Sequence, residues 1–239
     1  MNNNTEIKDL KLKRQMQIYG DGGYILDGNK IEKGNYRMEY ITKCISTIRE
    51  VADKLESCVQ QLIQPDNIKL ADIPVAESFK IDKYEFVVLE HSGDTTAVIL
   101  KELLFKDEKF GTSNNYKDSH IDKLCGDFAN VISNVIGKGN LIEHTVDLTS
   151  DDGLKDYGKI KRKMSLLTTN LYRRYVEILD KYKVNKWWWL ATADSTPTHN
   201  ISKLVKYVSP SGFVFFSDFY NVSGVRPFCI LKSNIFVSK

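Results

Sequence analysis

The sequence predicts an α+β protein: an antiparallel-sheet domain with two helices, preceded by one long amphipathic helix and a short β arm. Three observations lead there. Apolar residues at alternating steps of three and four form a seam through 38–62. Strand patterns bounded by turn residues fill 79–100 and 187–231, and two stretches of helical period, 118–136 and 169–182, lie between them. Strands, then helices, then strands again describe segregated α+β packing, not a doubly wound parallel sheet. The 239 residues allow one large domain plus an appendage, read as 1–36, 37–66 and 67–239.

The first part is polar and carries Gly20, Gly22, Gly23, Gly28 and Gly34. Residues 23–31 read as two short strands around an Asp27-Gly28-Asn29 turn, because Gly and Asn tolerate positive φ. An isolated hairpin is marginal, so this arm is expected to pack on the rest of the chain or on a partner. A phosphate-binding loop is disfavoured: no Gly-Lys-Ser/Thr ending follows, and no helix opens from the glycines.

In the second part Met38, Ile41, Ile45, Ile48, Ala52, Leu55, Val59 and Leu62 hold a 3.5-residue period for nearly four heptads. No Gly or Pro interrupts the segment, and Pro65 closes it. A helix of about 40 Å follows at 1.5 Å per residue. Such a seam must be covered. The expectation is a homo-oligomer through Ile41, Ile45, Ile48, Leu55, Val59 and Leu62, with packing inside one chain as the alternative. Cys44, Val51 and Cys58 widen the stripe, which favours more than two helices or a sheet as the cover.

In the third part Phe79 to Glu90 reads as strand, turn and strand, and Thr95 to Leu100 pairs back through the His91-Ser92-Gly93-Asp94 turn. The first helix buries Ile121, Leu124, Cys125, Phe128, Val131, Ile132 and Val135. The second, capped by Thr168 or Thr169, turns Leu171, Tyr172, Tyr175, Val176, Leu179 and Tyr182 inward. Strands return at 187–191, 204–208, 212–216 and 225–231. Trp187 and Trp189 point to one face of their strand and Trp188 to the other, so the triplet reads as a core anchor on both faces, with a carbohydrate-stacking platform as the alternative. Arg226, between Val225 and Pro227, reads as a buried or half-buried guanidinium bonded to carboxylates or loop carbonyls, with anion binding as the alternative.

Charge decides little. Lys+Arg 34 against Asp+Glu 31 leaves +3, and the densest basic runs, Lys11 to Arg14 and Lys159 to Lys163, are short, so a nucleic-acid partner is not expected. No apolar run approaches the roughly 20 residues needed to span a bilayer, so no membrane role is expected. Cys44, Cys58, Cys125 and Cys229 show no metal-ligand spacing and are expected to be free thiols.

The tail combines Trp187-Trp188-Trp189-Leu190-Ala191-Thr192 with Val205-Lys206-Tyr207-Val208 and Gly224-Val225-Arg226-Pro227-Phe228. Upstream stands Val146-Asp147-Leu148-Thr149-Ser150-Asp151-Asp152-Gly153. Together these resemble an uncharacterised domain family of Firmicutes and their phages marked by a WWL motif followed by GVRP, over residues 79–239. At a greater distance, the Trp-rich strand with a terminal Gly-Val-Arg strand resembles the C-type-lectin-like fold. Formylglycine-generating enzymes and the variable proteins of diversity-generating retroelements share that fold. The resemblance implies a ligand-display domain with recognition residues on the loops between the last strands.

Candidate chemistry is sparse. Glu90/His91 and Glu143/His144 invite a metal site, but neither pair has i, i+4 helical spacing, and turn-edge hydrogen bonds explain them more simply. Asp147, Asp151, Asp152 and Asp156 crowd around Gly153 as in a calcium loop. Gly158 stands where an EF-hand needs its terminal Glu, which leaves Asx turns as the simpler use and calcium as an open alternative. No Gly-x-Ser-x-Gly elbow occurs, and Cys229 stands alone where the formylglycine-generating enzymes have a cysteine pair. The expectation is therefore no catalytic set, no metal and no cofactor.

The segments least suited to a core are 194–200 and 217–221. Their Asp194, Thr196, Thr198, His199, Asn200, Asp218, Phe219, Tyr220 and Asn221 form the mixed polar and aromatic vocabulary of binding loops. The reading is a non-enzymatic recognition module of a phage or mobile element, binding a protein or glycan ligand and multiplied by the helix. Lacking an apolar leader core, it is expected in the host cytoplasm or on the virion. A small phage inhibitor of a host defence system and a metal-dependent enzyme are the alternatives.

Overall fold

A computed structural model describes residues 17–18, 24–26, 29–31, 38–63, 67–200 and 202–239. The chain divides into two units, Met1–Ile63 and Gln64–Lys239. In the first, β1 (Gln17–Ile18), β2 (Tyr24–Leu26) and β3 (Asn29–Ile31) form an antiparallel sheet in that order. The glycines of the arm and the Asp27-Gly28 turn lie outside the described residues. One unbroken helix, α1 (Met38–Ile63), carries the heptad seam. Ile45, Ile48, Leu55 and Val59 are exposed along it, whereas the side chains of Ile41 and Leu62 lie outside the described residues.

The second unit is mixed α+β, with two sheets. The eight-stranded sheet contains β4 (Asn67–Lys69), β5 (Ser78–Ile81), β6 (Tyr84–Ser92), β7 (Thr95–Leu100), β9 (Leu141–Ile142), β12 (Met164–Ser165), β17 (Phe228–Lys232) and β18 (Phe236–Ser238). Its order is β12-β17-β7-β6-β5-β18-β4, with β9 also on β17. The five-stranded sheet contains β8 (Phe105–Lys109), β13 (Trp188–Ala193), β14 (Leu204–Val208), β15 (Val214–Asp218) and β16 (Val222–Val225), in the order β15-β14-β13-β16-β8. Its β13–β16 contact is parallel; all other strand pairings among the described residues are antiparallel. β10 (His144–Asp147) and β11 (Lys159–Arg162) form a further two-stranded sheet that packs Val146 and Ile160 into the apolar interior.

The β5–β6–β7 meander follows the alternation in the sequence and turns at Asp82 and Gly93, both at positive φ. Helix α2 (His120–Ile136) begins where Ser119 accepts the N–H of Asp122, and it buries Ile121, Cys125, Phe128 and Ile132. Val131 and Val135 are exposed. The second expected helix is interrupted. It comprises α3 (Thr169–Arg174), capped by Thr168, then α4 (Val176–Leu179) and a 3-10 turn at Asp180–Tyr182. The break falls at Tyr175, whose backbone leaves helical geometry (φ −108°, ψ 12°) while its hydroxyl donates to Glu90. That anchor lies 85 residues away in sequence, where no local period records it.

The expected strand at 225–231 is divided too. Pro227 has no N–H for a ladder, and the chain passes at Arg226-Pro227 from β16 in one sheet to β17 in the other. Two apolar cores result. One gathers Phe86, Val98, Phe128, Ile132, Trp189, Val205 and Leu231. The other gathers Val87, Leu89, Ile99, Tyr172, Trp188, Leu190 and Phe228. Adjacent residues of β6 and of β13 enter different cores, the signature of strands buried on both faces.

Candidate recognition surface

Residues 194–200 are held by the acidic segment 147–156. Asp152 accepts hydrogen bonds from Ser150 Oγ and Ser195 Oγ, and it pairs with His199 Nδ1 at 2.9 Å. Asp156 accepts from Thr196 Oγ1 and Thr198 Oγ1, each at 2.6 Å. Asp194 and Asp151 share the Lys206 ammonium at 2.6 and 2.9 Å, and Asp151 also meets Arg173. The hydroxyl bonds hold the carboxyl of Asp152 far below the usual carboxylate range, and they lower that of Asp156. The Thr149 hydroxyl, assisted by Lys159, lowers Asp147 to about 2.

The clamp uses up side chains that the sequence offers for a ligand. Thr196 is fully buried, Asp194 is committed to Lys206, Thr198 Oγ1 donates to Asp156, and exposed His199 turns its Nδ1 to Asp152. Asn200, in left-handed conformation, closes the short 3-10 turn Pro197–His199. The carboxylates of 147–156 are likewise aimed at hydroxyls and cations. Among the described residues no three His, Cys, Asp or Glu side chains converge as metal ligands would. Ser195, Asp152 and His199 do not form a nucleophilic relay, because the carboxylate stands between serine and imidazole where the imidazole would have to stand.

The 217–221 segment is a tight turn with its own bonds. Tyr220 Oη donates to Asp218, Asn221 Nδ2 donates to Ser217, and Phe219 packs partly into the first core. Tyr220 and Asn221 are exposed. Glu90, His91 and His144 serve as structure, and Glu143 is exposed. Glu90 accepts from Arg174 and Tyr175, and His91 bridges Thr96 Oγ1 and the carbonyl of Ile73. Buried His144 pairs with Ser165 and meets the Phe228 ring edge-on. Burial lowers His144 to about 4, so its ring is neutral in the fold.

Arg226 is 1% exposed and donates to the carbonyls of Leu100, Lys101 and Tyr182. Burial lowers it to about 10, which still leaves it charged at neutral pH. The cavity it lines with Tyr172, Lys183, Trp188 and Gly212 has about 10 Å³ for a water-sized occupant, too little for an oxyanion. Its role is to tie three chain segments together. Burial likewise pushes the Cys125 thiol up to about 12 and that of Cys229 higher still, so neither is a nucleophile at neutral pH.

The open aromatic surface lies at the other end of the five-stranded sheet. Trp187, just ahead of β13, is 38% exposed and stacks on Tyr207 of β14, with centroids 4.5 Å apart and planes 23° from parallel. Phe215 of β15, 49% exposed, meets Trp187 edge-on at 5.5 Å. Phe213, two residues earlier and hence on the same face, is 66% exposed. Trp188 and Trp189 are core anchors as the alternation predicts, but Trp187 is not. The signal for this row was present: 187, 207, 213 and 215 share a face once the strands are registered Trp189↔Tyr207↔Phe215. The registers themselves are set by pairing across the sheet. No protein-family model, curated protein or solved structure matches the chain.

Proposed function

We propose that the chain is a non-enzymatic recognition module of a phage or mobile element, built on a C-type-lectin-like scaffold and acting in the host cytoplasm or on the virion. Its ligand is a protein, and contact is made chiefly through the aromatic row Trp187, Tyr207, Phe213 and Phe215. That row carries the proposal. Trp187, Phe213 and Phe215 lie outside both cores and Tyr207 packs partly against the first, yet the row is rich in the ring types that dominate protein hot spots. The 217–221 turn adds Tyr220 as a further exposed ring, while the clamped 194–200 segment acts as a rigid neighbour. The α1 seam gathers copies, so that weak sites act together through avidity.

The test compares capture from host lysate by the unaltered chain, by a Trp187→Ser/Phe215→Ser variant and by a Thr198→Ala/His199→Ala variant. A glycan array is probed in parallel. The expected result is a stoichiometric protein partner that the aromatic variant loses and the loop variant keeps. Equal capture by all three chains, or binding only to glycans, would sink the reading.

A further inference from the structure

Strand β15 forms one edge of the five-stranded sheet and pairs with β14 alone among the described residues. Its ladder shows which backbone groups are spent. The Ser209 N–H donates to the Phe213 carbonyl and the Phe219 N–H to the Lys203 carbonyl, both at 2.9 Å. Both bonds are in register with the pairs Tyr207↔Phe215 and Val205↔Ser217. Hydrogen-bonded and non-bonded pairs alternate along an antiparallel ladder. Residues 213, 215, 217 and 219 therefore turn their amides to β14, and those of Val214, Phe216 and Asp218 face the open edge.

Natural sheets blunt such edges with charge, proline, bulges or covering loops. The opposite edge of this sheet does so: β8 reads Phe-Lys-Asp-Glu-Lys. Strand β15 reads Val-Phe-Phe-Ser-Asp, keeps five consecutive pairs with β14 without a bulge, and has its single charge at the far end. Phe215 and Phe216 are exposed on opposite faces, at 49% and 54%.

We propose that β15 pairs antiparallel with β15 of a second copy about a two-fold axis at Phe216, joining two five-stranded sheets into one of ten strands. The outward positions 214, 216 and 218 are symmetric about 216. A second copy in this register sets donor against acceptor at 214 and 216, with Phe216 facing Phe216 and the Asp218 N–H facing the Val214 carbonyl, while the Asp218 carbonyl already accepts the Asn221 N–H at 3.0 Å. The two Phe216 rings form a cross-strand pair, each beneath a Lys206 ammonium 5.5 Å from its centroid. Asp194 and Asp151 already neutralise that lysine, so the pairing brings no uncompensated like charges together. On the other face Phe215 lies against Ser217 of the second copy. The inference does not rest on the ligand reading above.

The experiment uses the full chain with Ile48→Asp, which removes any assembly through the α1 seam. Light scattering is expected to give a dimer, and adding Phe216→Lys to give a monomer with an unchanged circular-dichroism spectrum. In a Cys44→Ser/Cys58→Ser background, Phe216→Cys is expected to form a covalent dimer on mild oxidation. Opposed α-carbons there stand about 5.5 Å apart, within disulfide reach. Phe215→Cys, off the axis, is expected to cross-link far less. A monomeric Ile48→Asp chain at every accessible concentration overturns the proposal. So does a dimer indifferent to Phe216→Lys, or equal cross-linking from positions 215 and 216. Should Phe216→Lys fail to fold, the cross-linking comparison decides.

Discussion

Arg226 sets its guanidinium over the ring of Trp188, 5.4 Å from the centroid, so the two motifs that stand out in the sequence meet in one packing unit. The same guanidinium holds the carbonyls of Leu100, Lys101 and Tyr182, which end β7 and the 3-10 turn after α4. Trp188 in turn meets Tyr172 of α3 edge-on at 5.8 Å. One side chain thus joins a strand end, a helical segment and the passage between the two sheets.

Replacing Arg226 by Lys keeps the charge but loses the planar fork that reaches three carbonyls at once. Each hydrogen bond to a charged group is worth about 1.5–3 kcal/mol. The expected loss for Arg226→Lys is about 2–4 kcal/mol, read as a lower urea midpoint with an unchanged slope. A loss below about 1 kcal/mol, the ordinary size of a point mutation, would show that the carbonyls find other donors.

His144 makes stability depend on pH. Its folded value is lowered to about 4, while an unfolded histidine titrates near 6.5, so the unfolded chain binds the extra proton between those values. This contribution is fully present above the unfolded value and is lost as pH falls through the window toward 4. At roughly 1.4 kcal/mol per pH unit the loss is of order 3 kcal/mol. Urea midpoints measured from pH 7 to pH 4 should fall for the natural chain and fall less for His144→Gln. Parallel curves for the two chains would refute this.

The Asp152 and Asp156 clamp carries the opposite kind of group with the same sign. Both carboxyls are lowered by the hydroxyls that donate to them, so their contribution is present above the ordinary carboxylate range and disappears as pH falls through the folded values. At neutral pH a double change, Asp152→Ala with Asp156→Ala, should free residues 194–200. Limited proteolysis there is expected to speed up several-fold with the core circular dichroism intact. No change in cleavage would mean that the short 3-10 turn holds the segment alone.

Much of the architecture is legible without coordinates because it repeats locally. The α1 seam, the β5–β6–β7 meander, the burial of Ile121, Cys125, Phe128 and Ile132, and the opposed faces of Trp188 and Trp189 each follow from periods of 3.5, 3.6 or 2. The short strands β4, β9, β12 and β18 carry no such period; their partners stabilise them. The candidate surface was harder to read for the same reason. Asp194, Thr196, Thr198 and His199 look like free polar groups until the 147–156 segment, about 40 residues away, is folded against them.

By itself the sequence determined the class of fold, the long helix with its unbroken seam, and which tryptophans of β13 oppose each other. Pattern and propensity act over a few residues, and these features need nothing more. Long-range packing sets that Trp187 stays at the surface, that Tyr175 interrupts its helix, that the acidic segment is spent on a clamp, and that β15 pairs with β14 alone among the described residues. Each of those depends on which distant backbone or side chain arrives at the same place, and burial, hydrogen bonding and ladder register are settled there.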